Sequence, residues 1–282
     1  MSAALQIGGS IVLATFPAFI WGYIFYMKSP ERRRNIWITF IVGGLAVFPI
    51  LIYKALWPFI PALNINNAVS SYTNDFIGIG SVALIPLSII IVYMFVGVIE
   101  EVMKLVAVRS VDGGRNILDI DDAIEFFIVA ALGFSFVENI LYFYSIWITH
   151  GAGELMLPFF FRSSFSTLAH IIFSGILGYY YGTAYFAHDI LKNEICDKRS
   201  KITKCLHKLI TPKKARVFAR ERMQEGLLIA IGLHALFNIF LEMGWSILII
   251  PFLFTGYTTL SYLLAKKENH IKYGKLIPAE SS

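Results

Sequence analysis

Long apolar stretches recur along the whole chain and are separated by short polar connections. Each stretch is close to the length of about 20 residues that an α-helix needs to cross a hydrocarbon core of about 30 Å. Only 15% of the residues are charged, whereas a soluble domain usually carries about 25%. We therefore predict an all-α, polytopic membrane helix bundle that forms a single integral domain over residues 1–282, with about seven spans near residues 7–27, 36–60, 77–106, 122–149, 158–187, 223–242 and 244–265.

Lysines and arginines are concentrated in alternate connections, and cationic connections are retained on the cytoplasmic side of a membrane. Four occur in residues 28–35, two in 107–121, eleven in 188–222 and four after residue 265, whereas 61–76, 150–157 and the turn at Gly244 hold none. This bias predicts an N-terminus outside and a C-terminus in the cytoplasm. It also accounts for the net charge of +5 without a nucleic-acid partner.

The connection 188–222 is the most basic part of the chain, and from Lys201 to Arg222 cationic and apolar residues alternate. Such a pattern is typical of a helix that lies on an anionic membrane surface. A solvated cytoplasmic loop explains the same cations without any partner, and we predict the loop. No internal repeat is visible in the sequence, which weakens its interpretation as an inverted-repeat transporter.

Charged side chains occur inside the predicted third span, although each costs about 2.5–3.5 kcal/mol at mid-membrane on insertion scales. Glu100 and Glu101 are followed by Lys104, and a helix brings that lysine within reach of either carboxylate. An ion pair at a helix end that meets water would explain the group without a function, since Arg109 lies only one or two turns further on. Adjacent buried carboxylates nevertheless repel, and such a pair suits a general base.

The next three predicted spans also carry polar groups in apolar surroundings. Any one of these groups would be explained by packing or by a hydrogen bond between helices. Four consecutive spans with such groups are better explained by one shared, hydrated cavity. The further residues are Glu138 and Asn139 in the fourth span, Arg162, His170 and Ser174 in the fifth, and His234 and Asn238 in the sixth.

Four short motifs on these spans resemble the PrsW family of intramembrane proteases, distant relatives of the CAAX prenyl endopeptidase and bacteriocin-processing (Abi) superfamily. They are EEVMK at Glu100 to Lys104, FSFVEN at Phe134 to Asn139, His170 followed by Ser174, and HALFN at His234 to Asn238. The resemblance covers roughly residues 95–240. It implies a glutamate-dependent endopeptidase of the prokaryotic inner membrane, of the kind that makes the first cut in a membrane-anchored anti-sigma factor.

We predict a catalytic centre on helices within about residues 77–242. Glu100 or Glu101 would deprotonate the attacking water, and Lys104 would hold the pair in place. This scheme uses no cofactor, and its substrate is a membrane-anchored protein. The other predicted roles are polarisation of the scissile carbonyl by His234 and Asn238, orientation of the water or proton transfer by His170 and Glu138, and support from Asn139, Arg162 and Ser174.

Three alternatives stay open. The first is a metallopeptidase in which zinc is held by Glu138, His170 and His234, a set with the ligand types of a catalytic zinc site. The compact HExxH motif of soluble zinc peptidases is absent, so the metal-free scheme is favoured. The second alternative is a proton-coupled transporter, because buried glutamates and histidines also form proton relays. The third is a non-catalytic binding or immunity protein.

Overall fold

The computed structural model describes residues 2–28, 33–79, 83–114, 116–187 and 201–266. Long helices dominate these ranges, and one short hairpin interrupts them. The elements are α1 (Ala3–Lys28), α2 (Arg33–Leu45), α3 (Phe48–Ala55), α4 (Ile65–Ala68), β1 (Phe76–Ile79), β2 (Ala83–Pro86), α5 (Leu87–Asp112), α6 (Ile120–His150), α7 (Met156–Phe161), α8 (Thr167–Tyr185), α9 (Lys201–Glu242) and α10 (Ser246–Lys266).

Six helical segments of the described chain are long and apolar enough to cross a membrane. They are Ala3–Met27, Arg33–Ala55, Ile120–His150, Ala152–Tyr185, Lys214–Glu242 and Ser246–Ala265. The prediction of a polytopic helical membrane protein is thereby confirmed. Helix α5 also has 26 residues. It is not among these six, and Glu100, Glu101 and Lys104 lie close together in its middle. The seventh span and the orientation of the termini stay predictions.

The predicted start of the third span is wrong. The stretch 77–106 does not form a single helix, because its first residues belong to the antiparallel hairpin β1–β2, in which Ile77 lies opposite Ile85. Helix α5 begins only after Pro86. An apolar run does not by itself separate a strand from a helix, and the β-branched residues of this segment favour a strand. Within the predicted second span, 36–60, a turn at Ala46 and Val47 separates α2 from α3, and both helices lie in the one candidate span Arg33–Ala55.

The prediction of a loop over residues 188–222 is wrong in its second part. Residues 201–222 are the first half of the 42-residue helix α9, while residues 188–200 lie outside the described ranges. Lysine and arginine are good helix formers, so a cationic connection can continue a span as a helix. At 1.5 Å per residue α9 is about 63 Å long, about twice the thickness of a hydrocarbon core. It therefore extends well beyond the membrane.

Helix α6 lies at the centre of the bundle and packs against α1, α2, α5 and α8. Apolar burial between helices contributes little in lipid, so close packing at small residues becomes important. At the crossing of α2 and α6, a Cβ atom on Gly133 would collide with the carbonyl oxygen of Phe40, and one on Gly43 would collide with the backbone of Ala130. Only glycine permits this approach, which fixes the position of α6.

The connection between α5 and α6 is closed by two aspartates. The carboxylate of Asp112 accepts the backbone N–H groups of Asn116, at 3.1 Å, and Ile117, at 3.0 Å. Asp119 caps the N-terminus of α6 by accepting the backbone N–H of Asp122 at 2.8 Å. The cap at Asp119 satisfies an N–H group that α6 itself leaves without a partner, while Asp112 holds the chain that follows α5. They fix the ends of the two helices that carry the three glutamates of the candidate site.

Candidate active site

The polar residues predicted on four successive spans meet between α5, α6, α8 and α9. Five of them are buried side chains that contact one another directly: Glu100, Glu101, Lys104, His170 and His234. Because each helix contributes only one turn to this cluster, the arrangement depends on how the helices pack and not on any one motif. We call these five residues the polar centre.

Lys104 joins the two sides of the polar centre. Its Nζ atom lies 2.7 Å from Oε1 of Glu101 and 3.0 Å from Nδ1 of His170, but 4.0 Å from Oε2 of Glu100. An ammonium group only donates, so Nδ1 of His170 accepts and the imidazole carries its proton on Nε2. Lys104 is therefore paired with Glu101, whereas the sequence had left both glutamates open.

Glu138 borders the polar centre on the side of α6. Its Oε2 atom accepts from Nε2 of His170 at 3.0 Å and lies 3.0 Å from a terminal nitrogen of Arg162. Arg162 also donates from Nε to Oδ1 of Asn139 at 2.6 Å, and its guanidinium lies 4.5 Å from the ring centroid of Tyr142. The side chain of Glu138 is held by these contacts but is still 33% exposed. It is therefore the most accessible of the three glutamates.

The segment Arg162–Ser166 forms a single π-helical turn between α7 and α8. The hydroxyl of Thr167 donates to the carbonyl of Arg162 at 3.0 Å, across the wider turn. Turns of this type are uncommon and occur frequently at functional sites. Here the turn lies where Arg162 is directed at Glu138 and Asn139.

His234 faces one glutamate with each ring nitrogen. Its Nδ1 lies 2.8 Å from Oε1 of Glu101, and its Nε2 lies 3.3 Å from Oε2 of Glu100. Since an ionised carboxylate only accepts, Nδ1 carries the hydrogen, and the lone pair of neutral Nε2 then faces Glu100. Oε2 of Glu100 is buried and has no hydrogen-bond partner among the described residues. With His234 neutral and Glu100 ionised, two electron-rich atoms therefore face each other, and protonation of either group would place a hydrogen between them.

The formal charges of the polar centre, Glu138 and Arg162 do not balance. Glu100, Glu101 and Glu138 supply three carboxylates, while Lys104 and Arg162 supply two cations. The difference is one negative charge, and Glu100 has the weakest pairing because its distance to Lys104 is 4.0 Å. A buried, unpaired charge is costly. A proton or a metal ion between Glu100 and His234 would remove both the excess charge and the facing lone pairs.

Three residues offer a set of ligand atoms for such an ion. One atom from each of Glu100, His170 and His234 lies within 4.8 Å of the corresponding atoms of the other two. A histidine that binds a metal ion typically donates its other ring N–H to a carboxylate, which orients the ring. Glu101 has this position relative to His234, because it accepts from Nδ1. These residues fit a divalent metal ion. Glu100 takes the place that the sequence analysis gave to Glu138 in the alternative zinc site.

Asn238 and Ser174 have different positions relative to the centre. Asn238 lines a small cavity of about 20 Å³ together with Glu138, Arg162 and the two histidines, and this volume accommodates one water molecule. Ser174 lies one turn beyond His170 on α8 and is fully buried. Its hydroxyl makes no hydrogen bond to any described residue. The structure thus brings Asn238 to the site but gives no contact between Ser174 and the polar centre.

A larger cavity of about 670 Å³ leads to Glu100 and Glu138. We call it the cleft. It is lined by residues of α3, α5 and α6, of the connection between α3 and β1, and by the last residue of α9. Tyr93 of α5 donates to Oε2 of Glu242 at 2.8 Å, and both residues lie on the cleft wall. The volume of the cleft is within the usual range for ligand sites, about 300–1,000 Å³.

Several of these contacts were not predicted from the sequence. The ring centroid of Phe134 lies 4.7 Å from Nζ of Lys104, and Tyr142 lies beneath Arg162. Tyr142 is four residues after Glu138, and this spacing places both on one face of a helix. The sequence could therefore have indicated that Tyr142 lies near the site. The pair of Tyr93 and Glu242 gives no signal in the sequence, because it connects residues 149 positions apart.

The helical membrane bundle and the buried carboxylate–histidine centre define a polytopic membrane protein with a candidate hydrolytic site inside the span region. The chain matches the PrsW family of intramembrane metalloproteases over residues 31–266, nearly its whole length, and belongs to that family. Comparisons with curated proteins and with solved structures gave no match. The resemblance inferred from four motifs is confirmed, and so is the membership in a family of membrane-embedded peptidases.

Proposed function

We propose that this chain hydrolyses peptide bonds of membrane-anchored proteins at the polar centre. One observation carries the proposal: Oε2 of Glu100 and Nε2 of His234 face each other at 3.3 Å, buried, where the cleft meets the centre. With His234 neutral these atoms are unpaired, which is costly away from water and would not be expected of a merely structural cluster. Their arrangement instead suits a group that must accept a proton or a cation.

We further propose that Glu100, His170 and His234 hold a divalent metal ion, with zinc as the first candidate. The excess negative charge and the facing lone pairs support this ranking over the metal-free scheme. The ion, when bound, would polarise the scissile carbonyl and make a water molecule acidic enough to attack it. A ligand bond from Nε2 of His170 would displace the proton on that nitrogen and its hydrogen bond to Glu138. The remaining ring proton would then lie on Nδ1, which requires Lys104 to face it as a neutral amine. Glu138 would then no longer be hydrogen-bonded to His170 and could accept a proton.

The remaining residues then have distinct roles. Glu138 accepts the proton of the attacking water and passes it to the leaving amine, since its carboxylate is the exposed one. Glu101 positions His234 and is itself held by Lys104. Arg162 and Asn238 supply donors at the small cavity, where negative charge develops on the carbonyl oxygen.

The cleft indicates how a substrate is presented. Peptide carbonyls in an intact helix are already hydrogen-bonded and shielded from attack. The cleft is lined in part by the connection between α3 and β1, which the charge bias places outside. We propose that an unwound segment near the outer end of a substrate helix enters there. A membrane-anchored anti-sigma factor, cut at its outer site, is the substrate class that the family resemblance suggests.

The test compares the membrane proteomes of cells that produce the wild-type protein or the Glu100→Gln variant. We expect shed fragments of single-span proteins only with the wild type. Glu154→Gln is the matched control, because it makes the same change at an exposed residue outside the site. Identical fragments with both proteins would overturn the proposal. Proton uptake by proteoliposomes without any cleavage would identify a transporter instead.

A further inference from the structure

A second cavity, of about 560 Å³, lies between α1 and α2, with α6 as its floor. We call it the lateral groove. None of its lining residues belongs to the polar centre or to the cleft. The lining is almost entirely apolar, and it includes Gly22 and Tyr26 from α1, Trp37 and Phe40 from α2, and Leu132 and Phe136 from α6. The groove therefore has no part in the proposed hydrolysis.

The α1 wall of the lateral groove is about as long as one leaflet of a membrane is thick. On α1 its lining runs from Thr15 to Tyr26, which at 1.5 Å per residue corresponds to about 17 Å. One leaflet contributes about 15 Å to a hydrocarbon core of about 30 Å. The α1 wall can accordingly contact an acyl chain over about the depth of one leaflet.

One end of the lateral groove carries positive charge. The guanidinium of Arg33 lies 4.5 Å from the ring centroid of Tyr26, and Arg34 follows directly. Tyr26 and Trp37 form an edge-on pair at the same end, with ring centroids 6.5 Å apart. No acidic residue lines the groove among the described residues. Aromatic and cationic side chains of this kind mark the level of lipid headgroups.

The charged end is the one that the lysine and arginine bias places at the cytoplasm. The cytoplasmic leaflet is the anionic one, and basic pockets between membrane helices on that side bind anionic headgroups. We infer that the lateral groove binds an anionic phospholipid of the cytoplasmic leaflet, with an acyl chain against Gly22 and the phosphate at Arg33. This lipid would cover the face that α1 and α2 leave open.

The first test fills the groove. A Cβ atom on Gly22 meets no atom within 4 Å, so Gly22→Leu can fold while it occupies the space for the acyl chain. Gly8→Leu is the matched control, because Gly8 lies on the same helix, outside the groove, and is equally open. The proteins are exchanged into micelles with equal amounts of phosphatidylglycerol and phosphatidylethanolamine of identical chains, and bound lipid is counted by native mass spectrometry.

We expect wild type and Gly8→Leu to retain phosphatidylglycerol and Gly22→Leu to lose most of it. The second test removes the charge: Arg33→Gln should lower the preference for phosphatidylglycerol about fivefold, the effect of one cation near an anionic surface. Arg34→Gln, which removes one cation at the same level, should change it less. Equal retention of both lipids by the wild type, or full retention by Gly22→Leu, would overturn the inference. Retention displaced by a transmembrane peptide but not by lipid would assign the groove to a protein partner and equally overturn it.

Discussion

Glu100 and Glu101 are neighbours in the sequence, yet the bundle gives them different partners. Oε1 of Glu101 accepts from both Lys104 and His234, at 2.7 and 2.8 Å. Glu100 has no contact as short as these and borders the cleft. A carboxylate with two strong donors is suited to hold other residues in place, whereas one without them is suited to bind a cation. We therefore propose Glu100 as the metal ligand and Glu101 as the positioning residue.

This assignment predicts unequal effects of the two matched substitutions. Glu100→Gln should lower the rate of cleavage about a thousandfold, because it removes a proposed metal ligand at the reacting atoms. Glu101→Gln should lower the rate and the metal affinity by about 10–100-fold, as expected for a residue that orients a ligand. Both rates are measured on a substrate found by the proteome comparison. A more severe effect from Glu101→Gln would reverse the two roles.

Arg162 permits a test of how Glu138 is positioned. Its guanidinium contacts both Glu138 and Asn139, and a lysine keeps the charge but not the two-pronged geometry. Arg162→Lys should therefore reduce kcat about tenfold or more while the variant still inserts and retains its metal. If Arg162→Lys cleaved at the wild-type rate, the geometry of the pair would not matter to the reaction.

At the scale of secondary structure, the glycine contact between α2 and α6 determines where Glu138 lies. Gly133→Ala places a Cβ atom against the carbonyl oxygen of Phe40, and overpacking of this kind costs about 1–3 kcal/mol. The midpoint of thermal unfolding in detergent should fall. Gly232→Ala is the control, since its Cβ meets no atom within 4 Å, and alanine there should leave the midpoint unchanged or raise it slightly. An equal fall for both variants would contradict the close-packing account.

The sequence predicted elements well where one physical signal dominated. Apolar length located the spans, because lipid requires the backbone to be satisfied within a helix. Apolar length did not predict the hairpin β1–β2, because one apolar run contains both the hairpin and the start of α5. It also failed for residues 201–222, since charge alone does not distinguish a loop from a helix that continues out of the membrane.

At the scale of the whole molecule, the orientation in the membrane stays a prediction with a direct test. Asn74 is exposed in the connection before β1, and Arg216 is exposed on α9. In a background with Cys196→Ser and Cys205→Ser, Asn74→Cys should react with an impermeant maleimide applied to intact spheroplasts. Arg216→Cys should react only after the membrane is permeabilised. The opposite pattern would invert the topology and place the cleft on the cytoplasmic side.

Convergence of four spans on one polar site was foreseeable, because Glu138 and His234 would be too costly in lipid separately. The sequence could not predict which residues pair inside the site. Lys104 reaches both glutamates by helical spacing alone, and only the position of His170 and His234 decides in favour of Glu101. Similarly, the exchange of Glu138 for Glu100 in the candidate metal set depends on distances between helices, which sequence spacing does not contain.

The most direct test of the central claim is the metal content of the purified protein. After reconstitution with zinc and removal of free ions, the wild type should contain about one zinc per chain, and chelation should abolish cleavage. Glu100→Gln and His234→Ala should remain folded and contain little zinc, while Ser174→Ala should bind it normally. A chelated, metal-free protein that still cleaves, or a Glu100→Gln variant that binds zinc as the wild type does, would contradict the account.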